Sequence, residues 1–228
     1  MNILRHLPNA LTCSNLLCGC LGIVCVLQCP IEYAAYFVWA ACVLDFFDGF
    51  AARALNVKSP IGKELDSLAD VVSFGVLPAM VMYSMIKSVT GEPLLAYLAF
   101  SIAVFSALRL ALFNIDERQK ATFIGLPTPA NALFITALPF LPSPLHGVVD
   151  HTSTLIAITA LFSFLLVSPW ELFALKFKNF SWGDNQIRFT FLLLAVLLLA
   201  LWRAGSIPLI ILLYIAMSLV SRALVSPK

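Results

Sequence analysis

Polar positions are sparse along the chain, and they cut it into eight apolar runs at about 9–29, 31–55, 60–88, 93–114, 127–142, 153–175, 189–203 and 206–225. A helix needs roughly 20 apolar residues to cross a bilayer core, and most of these runs supply them. The pattern predicts an all-α integral membrane protein, a polytopic bundle of about eight transmembrane helices with a six-helix core. The fifth and seventh runs are short for a span, and Pro127, Pro129, Pro139, Pro142 and Pro144 blur the limits of the fifth. Counts of six or seven therefore stay open. Arg203–Gly205 would turn the last two runs into a tight hairpin. Ser59 suits an N-cap, Pro60 the first helical position, and Pro78 predicts a kink deeper in the third helix. No internal repeat or separate soluble domain is visible. The expected organisation is one membrane-embedded domain over 1–228, with its core at about 9–175 and peripheral helices at about 189–225.

Composition agrees. The chain is 61% hydrophobic and 11% charged, with a mean hydropathy of +0.96, values that exclude an ordinary soluble domain. A net charge of +2 is too small to imply nucleic acid. Cys13, Cys18, Cys20, Cys25, Cys29 and Cys42 lack zinc-ligand spacing and read as small packing residues. Arg5 precedes an apolar run as in a signal peptide, but Asn9, Thr12 and Asn15 interrupt that run and it continues to Cys29. The reading is a retained first helix. With a cytoplasmic N-terminus and eight spans, Arg5, Arg53, Lys58, Lys63, Arg109, Arg118, Lys120, Lys176, Lys178, Arg188, Arg222 and Lys228 all fall inside, leaving only Lys87 and Arg203 outside. That bias puts both termini, and the loop between the second and third helices, in the cytoplasm.

Against this oily background, Asp45, Asp48, Asp66 and Asp70 stand out. Spacings of three and four place each pair on one face of its helix, and two facing helices would gather all four. One Asp at the centre of a membrane helix costs about 2.5–3.5 kcal/mol, and four together would repel. Hard divalent cations relieve both problems: Mg²⁺ or Mn²⁺, with Ca²⁺ as a further candidate. Gly49 and Gly62 allow a ligand close to the backbone, Ala52 keeps the same face open, and Arg53 offers a fork of donors to phosphate oxygens. Ser59 could donate to a phosphate as well as cap. Together these residues point to a metal-bound pyrophosphate at a membrane face. Two ions could clamp the entering and leaving oxygens while a carboxylate takes the proton of an attacking hydroxyl.

The pattern Asp45-x-x-Asp48-Gly49-x-x-Ala52-Arg53, eight residues, then Gly62-x-x-x-Asp66-x-x-x-Asp70 resembles the signature of the CDP-alcohol phosphotransferases at every fixed position. Three flanking blocks resemble the bacterial and archaeal phosphatidylserine synthases within that family: Asp66-Ser-Leu-Ala-Asp70-Val-Val-Ser-Phe-Gly75-Val, Leu108-Arg109-Leu-Ala-Leu-Phe-Asn114 and Gly125-Leu-Pro-Thr-Pro-Ala130. The opening Leu7-Pro-Asn9-Ala-Leu-Thr12-Cys-Ser-Asn15-Leu is similar to theirs too. The likeness covers roughly the first 130 residues. It implies a homodimer in a prokaryotic inner or plasma membrane, with a polar cavity open to the cytoplasmic leaflet. It further implies transfer of a phosphatidyl group from CDP-diacylglycerol to L-serine with release of CMP. On that likeness Asp45, Asp48, Asp66 and Asp70 are metal ligands, and Asp70 is also the base that activates the acceptor. Gly49, Ala52, Arg53, Ser59 and Gly62 form the wall that receives the cytidine and its phosphates.

Serine is a zwitterion, and Arg109, Arg118 and Lys120 are the candidates for its carboxylate, with Asn114 as a polar contact. Asn9, Thr12 and Asn15 follow helical spacing and either line the cavity or bond between helices. Three rival readings are the same chemistry with glycerol 3-phosphate or an inositol phosphate as acceptor, a cation or metabolite transporter, and a non-catalytic lipid-binding scaffold.

Overall fold

The structure is a computed structural model that describes residues 3–57, 60–116, 123–172 and 182–225. All eight apolar runs are helical. They form α1 (Leu7–Gln28), α2 (Tyr33–Ala54), α3 (Pro60–Thr90), α4 (Pro93–Ile115), α5 (Thr128–Ala137), α6 (Thr152–Val167), α7 (Trp182–Trp202) and α8 (Ile207–Val225). Among the described residues, five helical runs are long and apolar enough to cross a membrane: α1 to α4, and the stretch Asn185–Arg222 that holds most of α7 and α8. Within that stretch the chain turns through a 3₁₀ segment, Arg203–Ser206, with Arg203 at φ +49°. This is the expected hairpin.

Two runs end earlier than their hydrophobicity predicts. The sixth stops at Val167, not near 175, because the chain is drawn into an antiparallel pairing. β1 (Phe123–Ile124) pairs with β2 (Glu171–Leu172), and the amides of Gly125 and Leu126 bond to the carbonyls of Trp170 and Leu165. Gly125 sits at φ +76°, and a Cβ there would lie 2.5 Å from the Leu166 carbonyl, so only glycine fits this junction. The fifth run is α-helical only to Ala137 and finishes in a 3₁₀ turn, Leu138–Phe140, before Pro142.

The bundle is built around α3, whose most apolar window is 67% buried against 33% or less in the other four long runs. Phe74, Leu77, Met82 and Ile86 of α3 pack with Ile102, Ile135, Leu155 and Phe162. Pro78 lacks an N–H, and its ring would clash with the carbonyl one turn back. The expected kink takes the form of a wide π turn at Val71–Val76, in which the Leu77 amide bonds to Val72 five residues earlier.

Helix α1 docks through a stripe of small and polar residues, Thr12, Asn15, Gly19 and Gly22. In lipid, close backbone approach and interhelical hydrogen bonds hold helices together, not a hydrophobic face. A Cβ at Gly19 would lie 2.5 Å from Ser73 Oγ and 2.9 Å from Ser73 Cα; one at Gly22 would lie 2.5 Å from Leu77 Cδ2. The Ser73 hydroxyl donates to the Asn15 carbonyl at 2.9 Å. Gly19→Val should therefore push α1 off the π turn and lower stability by about 1–3 kcal/mol. The measurement is the thermal unfolding midpoint in detergent micelles, with Cys20→Val, on the exposed side of the same helix, leaving it unchanged.

Candidate active site

α1 runs antiparallel to α2 and packs along it, and it also packs on the first turns of α3. It thereby brings its own N-terminal turns to the end of the bundle where α2 finishes and α3 begins. Between them lies a cavity of about 690 Å³. Asp45, Asp48 and Asp66 line it, with one carboxylate oxygen from each within 4.8 Å of the others. The two acid pairs thus meet across helices, as their spacing predicts. Carboxylates gathered this closely repel unless a proton or a cation lies among them. Among the described residues no lysine or arginine forms an ion pair with the three. A hard-oxygen donor set of this kind, uncompensated by protein cations, fits a divalent ion such as Mg²⁺ or Mn²⁺.

Asp70 stands apart from that triad. It is one turn deeper on α3, 7% exposed, and receives the amide of Asn15 at 3.2 Å. Of the four acids expected to hold metal, Asp45, Asp48 and Asp66 gather their oxygens within 4.8 Å, and Asp70 is their buried neighbour, bonded to Asn15. α1 orients the acids. The Thr12 hydroxyl lies 2.7 Å from Asp48 Oδ2 and 3.0 Å from the Pro8 carbonyl, and the carboxylate is the stronger acceptor for its single proton. Asn9 and Thr12 line the cavity as expected, whereas Asn15 lies fully buried behind it.

Gly49, Ala52, Arg53 and Gly62 complete the wall. The Arg53 guanidinium folds back over Gly49: a Cβ there would meet only Arg53, at 3.5 and 3.9 Å. Ser59, Arg118 and Lys120 lie outside the described residues. Arg109 is not part of the cavity lining. It is 6% exposed, and its guanidinium donates to the carbonyls of Ile124 and, at 3.3 Å, Leu166. It ties α4 to the β1–β2 junction. Asn114 also stands back from the cavity, with its side-chain amide on Ser67 Oγ at 2.8 Å. The lining includes residues that were not anticipated: Pro8, Phe46, Val57, Lys63 and Phe113. Lys63 could have been found, since it precedes Asp66 by three on the same helical face. The apolar residues carry no such signal.

The fold and the site define a polytopic helical membrane protein with a carboxylate-lined cavity suited to phosphate chemistry. The family profile described as CDP-alcohol phosphatidyltransferase matches residues 5–170. The chain belongs to the CDP-alcohol phosphatidyltransferase family, and it is an enzyme of that class. It is 37% identical over 180 residues to the CDP-diacylglycerol–serine O-phosphatidyltransferase of Bacillus subtilis, covering 78% of this chain and 93% of that one. A protein of the same name from Helicobacter pylori is 33% identical over 184 residues, covering 79% and 75%. Another from Methanocaldococcus jannaschii is 41% identical over 98 residues, covering 43% and 46%.

Thr12→Val keeps the shape and removes the donor to Asp48. A hydrogen bond to a charged group contributes about 1.5–3 kcal/mol, so divalent-ion affinity should fall by about tenfold or more. Titrating Mn²⁺ against the thermal midpoint of the purified protein measures this. An unchanged titration would show that Thr12 does not orient Asp48 for an ion.

Proposed function

We propose that this enzyme transfers the phosphatidyl group of CDP-diacylglycerol to the hydroxyl of L-serine, giving phosphatidylserine and CMP. The observation that carries the reading is the convergence of Asp45, Asp48 and Asp66 on a cavity whose lining also holds Gly49 and Arg53. The relatives' names, which specify serine, support the acceptor. Asp45, Asp48 and Asp66 would hold Mg²⁺ or Mn²⁺, one ion or two, whose chemistry is to neutralise pyrophosphate oxygens.

The donor's acyl chains stay in lipid and its headgroup enters the cavity. Gly49, Ala52 and Gly62 leave room for the nucleotide, and Arg53 meets phosphate oxygens with its fork. Asp70 takes the serine hydroxyl proton, and Asn15 holds its carboxylate in place for that task. The serine oxygen then forms a bond to the lipid-linked phosphorus, while the bond from that phosphorus to the CMP oxygen breaks. CMP leaves with Arg53 offsetting its charge. Asp70 acts here as the base, one turn deeper than the three ligands.

The same reading takes the protein as an eight-span homodimer of the prokaryotic inner membrane, with both termini and the cavity cytoplasmic. The distribution of Lys and Arg supports that orientation. α1 to α6 form the catalytic core, and α7 and α8 are peripheral.

The test is CMP release from CDP-diacylglycerol by the purified protein with Mg²⁺ or Mn²⁺ and a panel of alcohols. Release should require serine. Release with glycerol 3-phosphate or an inositol phosphate instead would change the acceptor, and silence with every alcohol would end the enzymatic reading. Asp70→Asn should cut turnover by about 10²–10⁴-fold, the usual contribution of a general base. Near-normal turnover in that variant would remove the role given to Asp70.

A further inference from the structure

An amino-acid acceptor brings a carboxylate into a cavity already crowded with acids, so a cation must receive it. Arg109 is committed to main-chain carbonyls away from the cavity, and Arg53 lies over Gly49 on the donor wall. Lys63 also lines the cavity, from α3. It shares a helical face with Asp66 and Asp70, three and seven residues further on, and its backbone is about 10 Å from that of Asp70 along the helix axis.

The lysine is held but not neutralised. Its ammonium donates to the main-chain carbonyl of Asn114 at 2.9 Å. The Asn114 amide donates to Ser67 Oγ at 2.8 Å, and Ser67 Oγ lies 3.3 Å from the Lys63 carbonyl. This ring of contacts joins α3 to the end of α4 and fixes where the ammonium sits. A lysine has three N–H donors, and the partner seen here is a neutral carbonyl. Among the described residues Lys63 makes no ion pair. Lys63 thus brings to the cavity lining a positive charge with no carboxylate partner among the described residues.

We propose that Lys63 receives the carboxylate of the acceptor and selects an amino acid over a neutral alcohol. Asn114 and Ser67 are its positioning residues. The acceptor then lies along one face of α3, its carboxylate on Lys63 and its hydroxyl at Asp70. The proposal rests on the serine reading above.

The experiment compares L-serine with L-serinamide, which keeps the hydroxyl and ammonium but has no carboxylate, in CMP release by the full-length protein. The wild type should favour serine. Lys63→Met should raise the KM for serine by about ten- to a hundred-fold, as expected for loss of one charge-assisted hydrogen bond. The KM for CDP-diacylglycerol and the rate with serinamide should not change, so the preference between acceptors should collapse. Lys63→Gln should behave like Lys63→Met, and Lys63→Arg should recover most of the serine KM. Thermal stabilisation by CDP-diacylglycerol checks that each variant is folded. An unchanged serine KM in the Met and Gln variants, or an equal rise for both substrates, would overturn the role of Lys63. A wild type that releases no CMP with serine would instead remove the acceptor reading itself.

Discussion

Carboxylates inside a bundle surrounded by lipid must be satisfied from within it, and that requirement organises the rest of the molecule. Water is scarce and the local dielectric low, so an unpartnered Asp costs more here than at a soluble surface. The partners come mainly from α1. Thr12 serves Asp48 and, one turn deeper, Asn15 serves Asp70. These bonds need α1 to lie almost in backbone contact with α3. Gly19 and Gly22 allow that approach, and the Ser73 hydroxyl locks it onto the Asn15 carbonyl. The small-residue stripe on α1, the π turn in α3 and the acid cluster are therefore one construction, and disturbing the packing also moves the donors.

The π turn sits between the two tasks of α3. Before it, the helix carries Lys63 and Asp66 on the cavity lining and Asp70 buried one turn deeper; within and after it, Phe74, Leu77, Met82 and Ile86 fill the core. A regular helix through Pro78 would leave a carbonyl unbonded and a ring in collision. The wider turn absorbs that defect within the six residues where α1 and α4 both press against α3, at Ser73 and at Gly75 beside Ser106. Wide turns of this kind are frequent at functional sites, and this one separates a polar half-helix from an apolar one.

Much of this was legible in the sequence because the chemistry restricts residue type. Only acids at helical spacing can gather hard-oxygen ligands from two helices, and only glycine or alanine leaves a wall open. The helices were legible from length and hydropathy alone. Three features were not, or only in part. Arg109 in an apolar run looks the same whether it binds a ligand or ties α4 to the carbonyls of Ile124 and Leu166; only the fold shows which. Lys63 was overlooked as one of several lysines and arginines expected on one side of a membrane, although its spacing to Asp66 marked it. The early end of α6 was only partly legible: Pro169 marks it, but the pairing that takes up Glu171 and Leu172 involves residues more than forty positions away.

The division between Asp70 and the other three acids follows from depth. Asp45 and Asp66 are half-buried, and together with Asp48 they form one wall of an open cavity. Carboxylates placed there can exchange a cation with solvent and accept its charge. Asp70, lower on the same face and bonded to a neutral amide, has no such access. A group that binds an ion strongly makes a poor proton acceptor, because the ion's field opposes protonation. Setting one acid a turn deeper, on a donor that carries no charge, would let the same motif serve both needs under the proposed mechanism: three carboxylates for a counter-ion of the pyrophosphate, and a fourth to receive a proton.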